Sequence, residues 1–282
     1  MNTLVSKPWV LARIFEPDVT IVDCRFILGQ PTAGRDAYEE SHIPGAIYLD
    51  LEADLSDPAA EHGGRHPLPD VERLAALLGK LGMNNDTRII AYDDQGGSNA
   101  SRLWWLLTYI GHENVYVMDE GFSAWTGAKY PVSKDQAIRV PSTYTAKVKT
   151  EWVVGVETIR DVISGADDSS NVVLIDSREP RRYAGLEEPI DKKTGHIPSA
   201  LNKFWKGVHD EHGRWKSAAK LQEHFADMPK DRELIVYCGS GVTACPNILA
   251  LREAGYDNVK LYAGSWSDWI SYSENPVATG KE

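Results

Sequence analysis

An internal repeat constrains this chain more than any other feature. Ile21-Val22-Asp23-Cys24-Arg25 recurs as Leu174-Ile175-Asp176-Ser177-Arg178, in each case a short apolar run ending in Asp-x-Arg. Tyr38 and Tyr183 follow, and then His42-Ile43-Pro44-Gly45-Ala46 is echoed by His196-Ile197-Pro198-Ser199-Ala200. Further on, Arg88-Ile89-Ile90-Ala91-Tyr92-Asp93 matches Glu233-Leu234-Ile235-Val236-Tyr237-Cys238. Gly111-His112-Glu113-Asn114-Val115 and Phe122-Ser123-Ala124-Trp125 match Gly255-Tyr256-Asp257-Asn258-Val259 and Trp266-Ser267-Asp268-Trp269. The blocks keep their order, so the chain is a duplication, with a period far too long for a solenoid.

Each copy alternates short apolar strands with helix-like stretches such as Val71 to Leu81 and Ala218 to Ala226, the pattern of a mainly parallel sheet with helices on both faces. The expected class is α/β, with two similar domains over residues 1–132 and 151–282. The polar stretch Ser133 to Thr150, with Pro141 and little apolar periodicity, reads as a linker draped over the surface. At 282 residues and 42% hydrophobic content the chain has material for substantial cores. No apolar run is long enough to span a bilayer, and Met1 to Val10 lacks an export signature, so a cytoplasmic protein without a membrane partner is expected. A formal charge of −11 argues against nucleic acid as a partner.

The chemistry concentrates at Cys238. Leu234-Ile235-Val236-Tyr237 reads as a strand covered on both faces, and Ala244 to Ala254 has helical spacing with Pro246 in its first turn. Cys238 therefore falls at a strand's carboxyl end, where ligands bind in open α/β sheets. Successive amides of Gly239-Ser240-Gly241-Val242-Thr243 and the helix N-terminus favour negative charge there, hence a reactive thiolate. The alternative is a buried structural cysteine. Cys24, Cys238 and Cys245 make an odd count, so reduced thiols are expected; Cys24 and Cys245 read as packed. Asp93 stands where the second copy has Cys238, so the first copy is expected to be catalytically silent and to wall one side of the site.

These residues resemble the tandem-rhodanese sulfurtransferases, and within them the mercaptopyruvate branch, from about Trp9 to Trp269. Cys238-Gly239-Ser240-Gly241-Val242-Thr243-Ala244 is similar to the active loop of that branch; thiosulfate-using relatives typically carry basic residues after the cysteine. The resemblance implies two domains, each with a five-stranded, largely parallel sheet. It also implies a reaction in which Cys238 takes the outer sulfur of 3-mercaptopyruvate or thiosulfate, becomes a persulfide, and passes the sulfur to cyanide, a small thiol or thioredoxin. Ping-pong kinetics follow from the two half-reactions, with no metal and no cofactor. Gly239, Gly241, Val242 and Thr243 would cradle the sulfur anion with their amides.

The resemblance assigns Arg182 to the donor's carboxylate, with Arg178 as the next candidate; an ion pair with a structural carboxylate is the other reading of Arg178. It also points to Ser240, assisted by His66 and Asp50 from the first half, as a group that donates to the donor's carbonyl oxygen or shuttles a proton. A loop serine satisfying its own backbone is the other reading of Ser240. A second substrate arginine known in the family is absent, because Glu188-Pro189-Ile190-Asp191 has Ile190 near its position. Asp23, Asp176, His42, His196 and Arg25 occur in matched blocks or their cysteine-free half, so they read as structural ties. A phosphatase is disfavoured because Ala244 and Cys245 stand where a phosphate-clamping arginine is required. The remaining alternative is a non-enzymatic persulfide carrier that accepts sulfur from a partner protein.

Overall fold

The computed structural model describes residues 3–165 and 171–280. Strands are β1 (Leu4–Val5), β2 (Val19–Asp23), β3 (Ile47–Tyr48), β4 (Arg88–Tyr92), β5 (Val115–Met118), β6 (Val153–Val154), β7 (Val172–Asp176), β8 (Leu201–Asn202), β9 (Glu233–Tyr237) and β10 (Val259–Tyr262). Helices are α1 (Lys7–Leu11), α2 (Ala33–Glu40), α3 (Val71–Lys80), α4 (Ser98–Tyr109), α5 (Phe122–Gly127), α6 (Val156–Ser164), α7 (Pro180–Tyr183), α8 (Ala218–His224), α9 (Ala244–Glu253) and α10 (Ser265–Trp269).

The strands form two five-stranded sheets, ordered β1-β5-β4-β2-β3 and β6-β10-β9-β7-β8, and every named pairing is parallel. In the second sheet the chain leaves β7 toward β8 on one side and β9 toward β10 on the other. The order therefore switches between β7 and β9, and the crevice at their carboxyl ends is where such sheets hold ligands. The central strands are continuous apolar runs because helices cover both faces: Leu234, Ile235, Val236 and Tyr237 are fully buried. Each such aliphatic side chain contributes about 1.5–3 kcal/mol by leaving water. The aromatic pairs of the repeat close each core, with Trp125 in the first and Trp266 and Trp269 in the second.

The matched blocks are architectural. Arg25 and Arg178 each fold back on the aspartate two residues earlier, at 2.6 Å to Asp23 and to Asp176, and stack on Phe122 and Trp266. His42 and His196 each bond a tyrosine carbonyl, of Tyr38 at 2.6 Å and Tyr183 at 2.8 Å, and stack on that tyrosine's ring. Buried charge is tolerated here because it is paired and hydrogen-bonded.

Two compact units emerge, Met1–Asp57 with Leu68–Lys149 and Glu211–Trp215, and Pro58–Pro67 with Thr150–Asp210 and Lys216–Glu282. The stretch after Ser133 belongs to the first unit through Lys149, without helix or strand, its amides at Ser142 and Lys147 donating to the Gly79 and Ile110 carbonyls. Two short segments depart from a simple division at the linker. Glu211–Trp215 is fastened in the first unit by the Trp215 amide on Asp119 at 2.8 Å. Pro58–Pro67 is fastened in the second by the Gly63 amide on Asp268 at 2.7 Å and the Arg65 amide on Ser267 at 3.0 Å. Among the described residues no helix is long and apolar enough to cross a membrane.

Candidate active site

Cys238 is the first residue past β9 and is 1% exposed. Its amide donates to Ser265 Oγ at 3.1 Å, and its carbonyl accepts from the Trp266 amide at 3.0 Å. The next carbonyl, of Gly239, accepts from the Ser267 amide at 2.9 Å, so the start of α10 fixes the peptides around the thiol. Ser265 adopts φ +57°, a conformation that costs a serine about 1 kcal/mol or more and is held by its second bond, to the Tyr262 carbonyl at 2.9 Å.

The loop then turns at Gly241, φ +76°, where a Cβ would lie 2.4 Å from the Ala263 carbonyl oxygen; no other residue fits. Val242 is buried and Thr243 half-buried, and Thr243 makes no side-chain cap on α9. Among the described residues, the amides of Ser240, Val242, Thr243 and Ala244 have no backbone partner. Donors without partners at a helix N-terminus make a site that favours an anion.

The first unit displays such an anion. After β4, Asp93 Oδ1 accepts from the amides of Gln95 at 2.9 Å and Gly97 at 2.8 Å, and Oδ2 from those of Asn99 at 2.8 Å and Ala100 at 3.0 Å. Burial pushes the Asp93 carboxyl above its usual range, and the four amides pull it back. The same offsets from Cys238 fall on Ser240, Val242, Ala244 and Cys245.

Polar side chains of the second unit gather beside Cys238. Ser240, 5% exposed, is hydrogen-bonded to His66 Nδ1 at 2.8 Å, and His66 is itself buried. Arg182 Nε donates to Glu188 at 3.0 Å, and Nη2 lies 2.7 Å from the same carboxylate in an ion pair and donates to Asp191 at 3.0 Å. Burial raises Glu188, but the Arg182 hydrogen bond and the amides of Asp191 and Ile190 outweigh it and hold the carboxyl below its usual value. Arg178 is buried and donates to Asp176, Glu188 and the Gly195 carbonyl, so of its two readings the ion pair is the arrangement present. It steadies Glu188 and through it Arg182.

Asp50 lies in the first unit, past β3. Its Oδ2 accepts from the Tyr48 hydroxyl at 2.9 Å, and its Oδ1 from the amides of Glu52 at 2.8 Å and Ala53 at 2.9 Å. Cys24 and Cys245 are fully packed: Cys245 Sγ lies 3.3 Å from the Gly241 carbonyl, and burial with the carboxylates of Asp23 and Asp93 pushes the Cys24 thiol well up.

Three residues escaped the sequence reading. Ser265 stands in the second copy where the first has Gly121, directly before a matched block. Asp191 was visible only as part of a stretch lacking an arginine. Arg65 carried no signal of its own; its Nη1 donates to Asp191 at 2.6 Å, and its Nη2 lies 3.3 Å from where a Gly239 Cβ would stand.

A rhodanese-like domain matches residues 6–128 and again 160–272. The chain belongs to the rhodanese family. Along nearly their whole length, rhodanese-family relatives with sulfurtransferase names align with it. A probable 3-mercaptopyruvate sulfurtransferase of Pseudomonas aeruginosa is 38% identical over 98% of both chains. A putative thiosulfate sulfurtransferase, SseB, of Mycobacterium tuberculosis is 35% identical over 93% of this chain and 91% of its own. Among solved structures, the 3-mercaptopyruvate sulfurtransferase SseA of Escherichia coli superposes with a TM-score of 0.81 at 32% identity, covering 95% of this chain and all, 100%, of the other. The two α/β domains expected from the repeat, and the rhodanese fold that the resemblance implied, are those observed, and the chain is a sulfurtransferase of that fold.

Proposed function

We propose that Cys238 is the sulfur carrier of this rhodanese-family enzyme and that 3-mercaptopyruvate is its donor. The observation that carries this reading is the loop after β9: a single thiol stands where the matched loop folds around a carboxylate with four amide donors. A Cys238 persulfide anion needs the same donors, so one loop serves thiolate and persulfide alike.

In the first half-reaction the Cys238 thiolate attacks the donor's sulfur. An S–S bond forms, the donor's C–S bond breaks, and its electron pair passes into the enolate of pyruvate, which takes up a proton. With the proton of His66 on Nδ1, the imidazole donates to Ser240 Oγ and frees the hydroxyl proton for the donor's carbonyl oxygen, where negative charge develops. Arg182 holds the carboxylate, and Glu188 orients Arg182. With thiosulfate the S–S bond would break and sulfite leave with the pair. In the second half-reaction cyanide, a small thiol or thioredoxin attacks the terminal sulfur and the Cys238 thiolate departs. All three cysteines are free, which supports a reducing compartment such as the cytoplasm.

The test is mass spectrometry of protein treated with each donor, alongside pyruvate release in the presence of thiol. One added sulfur on the peptide containing Cys238 is expected. Pyruvate release without that added sulfur would eliminate the carrier assignment.

A further inference from the structure

We propose that Asp268 is a positioning residue for the proton relay: its buried carboxylate anchors the loop that carries His66 and so sets the imidazole against Ser240. This rests on the reading of the Ser240–His66 pair made above. Asp268 lies on α10 and is 4% exposed. Its Oδ1 accepts from the Gly63 amide at 2.7 Å, and its Oδ2 from the Tyr262 hydroxyl at 2.6 Å. Burial, with the carboxylate beside it, pushes the Tyr262 phenol well up, so the phenol stays protonated and remains a donor. Beyond Gly63 along the same loop, His66 Nδ1 meets Ser240 Oγ at 2.8 Å. Gly63 and Gly64 adopt φ +95° and +84°, and two glycines in succession give the approach to His66 little stiffness of its own. Fastening therefore comes from α10: Ser267 Oγ takes the Arg65 amide at 3.0 Å, and Asp268 supplies the charged acceptor, the stronger of the two.

The first copy does without this pair. Where the second has Asp268 and Tyr262, the first has Ala124 and Met118 on the matching helix and strand, so that helix and sheet form without either. A carboxylate is costly to bury unless it is paired, and the partners here are the loop amide and a phenol that the first copy also lacks. The first unit seats a segment too, Glu211–Trp215, but through Asp119, and it brings the Trp215 ring against Gly97 in the loop closed on Asp93. Asp268 brings an imidazole instead. Through its backbone the same helix holds the cysteine loop, with the Trp266 and Ser267 amides on the carbonyls of Cys238 and Gly239, so one element registers the imidazole against that loop.

The full-length protein is compared with Asp268→Ala. Turnover of 3-mercaptopyruvate is read as pyruvate release with thiol present, against two reactions that protonate no carbonyl oxygen: thiocyanate formation from thiosulfate and cyanide, and alkylation of Cys238 by iodoacetamide. The kcat with 3-mercaptopyruvate is expected to fall about tenfold, with its Michaelis constant and both reference rates within about twofold of the wild type. In a His66→Ala background the same substitution should have no further effect, since the two act through one path. An equal fall in Cys238 alkylation, no fall in kcat, or a loss that adds to that of His66→Ala overturns the proposal. Should Asp268→Ala not fold, Asp268→Asn puts a neutral acceptor under the Gly63 amide. A fall of about threefold confined to 3-mercaptopyruvate is then expected, and a fall shared with alkylation, or none, overturns the proposal. Failure of the relay reading looks different: His66→Ala itself would keep the full kcat, whereas a slow His66→Ala beside a fast Asp268→Ala removes Asp268 alone.

Discussion

The loops after β4 and β9 stand at the same place in two sheets of the same strand order, yet one is closed on itself and the other is open. In the first, Asp93 supplies the anion from its own side chain and four amides converge on it. In the second, a thiol takes the aspartate's place, and among the described residues the amides of Ser240, Val242, Thr243 and Ala244 have no backbone partner. A cradle filled by its own carboxylate stabilises a fold; a cradle around a cysteine can hold a charge that comes and goes. Surroundings differ in step. The loop after Cys238 has His66 on Ser240 and two guanidinium groups by Gly239, whereas among the described residues the donors to the Asp93 carboxylate are backbone amides.

Removing the thiol should have the largest effect. Cys238→Ser is expected to lower sulfur transfer by at least about a thousandfold, since no other group can carry the persulfide. Cys24→Ser and Cys245→Ser should retain most of the activity, measured as pyruvate release. Comparable loss in either of these would erase the distinction between the two loops.

Emptying the closed cradle comes next. Asp93→Ala leaves four buried amides unmet and should lower unfolding free energy by about 4 kcal/mol in urea titrations. A change within experimental scatter would mean that the carboxylate is not what holds that loop.

Arg182→Leu should raise the Michaelis constant for 3-mercaptopyruvate by about tenfold to a hundredfold while Cys238 still reacts with iodoacetamide. An unchanged constant would remove Arg182 from donor binding.

The smallest effect is a pH signature. Glu188 has its folded pKa lowered from 4.5, so its contribution is complete above that value and is lost as pH falls through the lower folded one. The difference in melting temperature between wild type and Glu188→Gln should therefore stay constant from neutral pH down to about 4.5 and close below it. A difference that already shrinks on the alkaline side would contradict the ion pair.

The fold was legible because burial on both faces leaves its mark on strands: Leu234-Ile235-Val236-Tyr237 can be little else, and its echo at Ile89-Ile90-Ala91-Tyr92 doubles the evidence. Cys238 and its loop were legible for the same reason, as the strand fixes where the thiol falls. The seat of His66 beside Ser240 was reached only through family resemblance, since a loop histidine carries no periodic signal. Arg65, Asp191 and Ser265 were hidden because their roles depend on tertiary contacts. A loop arginine, an acidic residue near a proline and a serine at φ +57° look ordinary until distant parts of the chain meet.

Because Pro58–Pro67 folds into the second unit, that unit cannot be cut free whole at the linker. A polypeptide starting at Thr150 would keep Cys238 and Arg182 but lose the imidazole against Ser240 and the arginine on Asp191. Shortening the gene to the second repeat therefore removes the side chains that sit against Ser240 and Asp191, because the ten residues Pro58–Pro67 are encoded within the first.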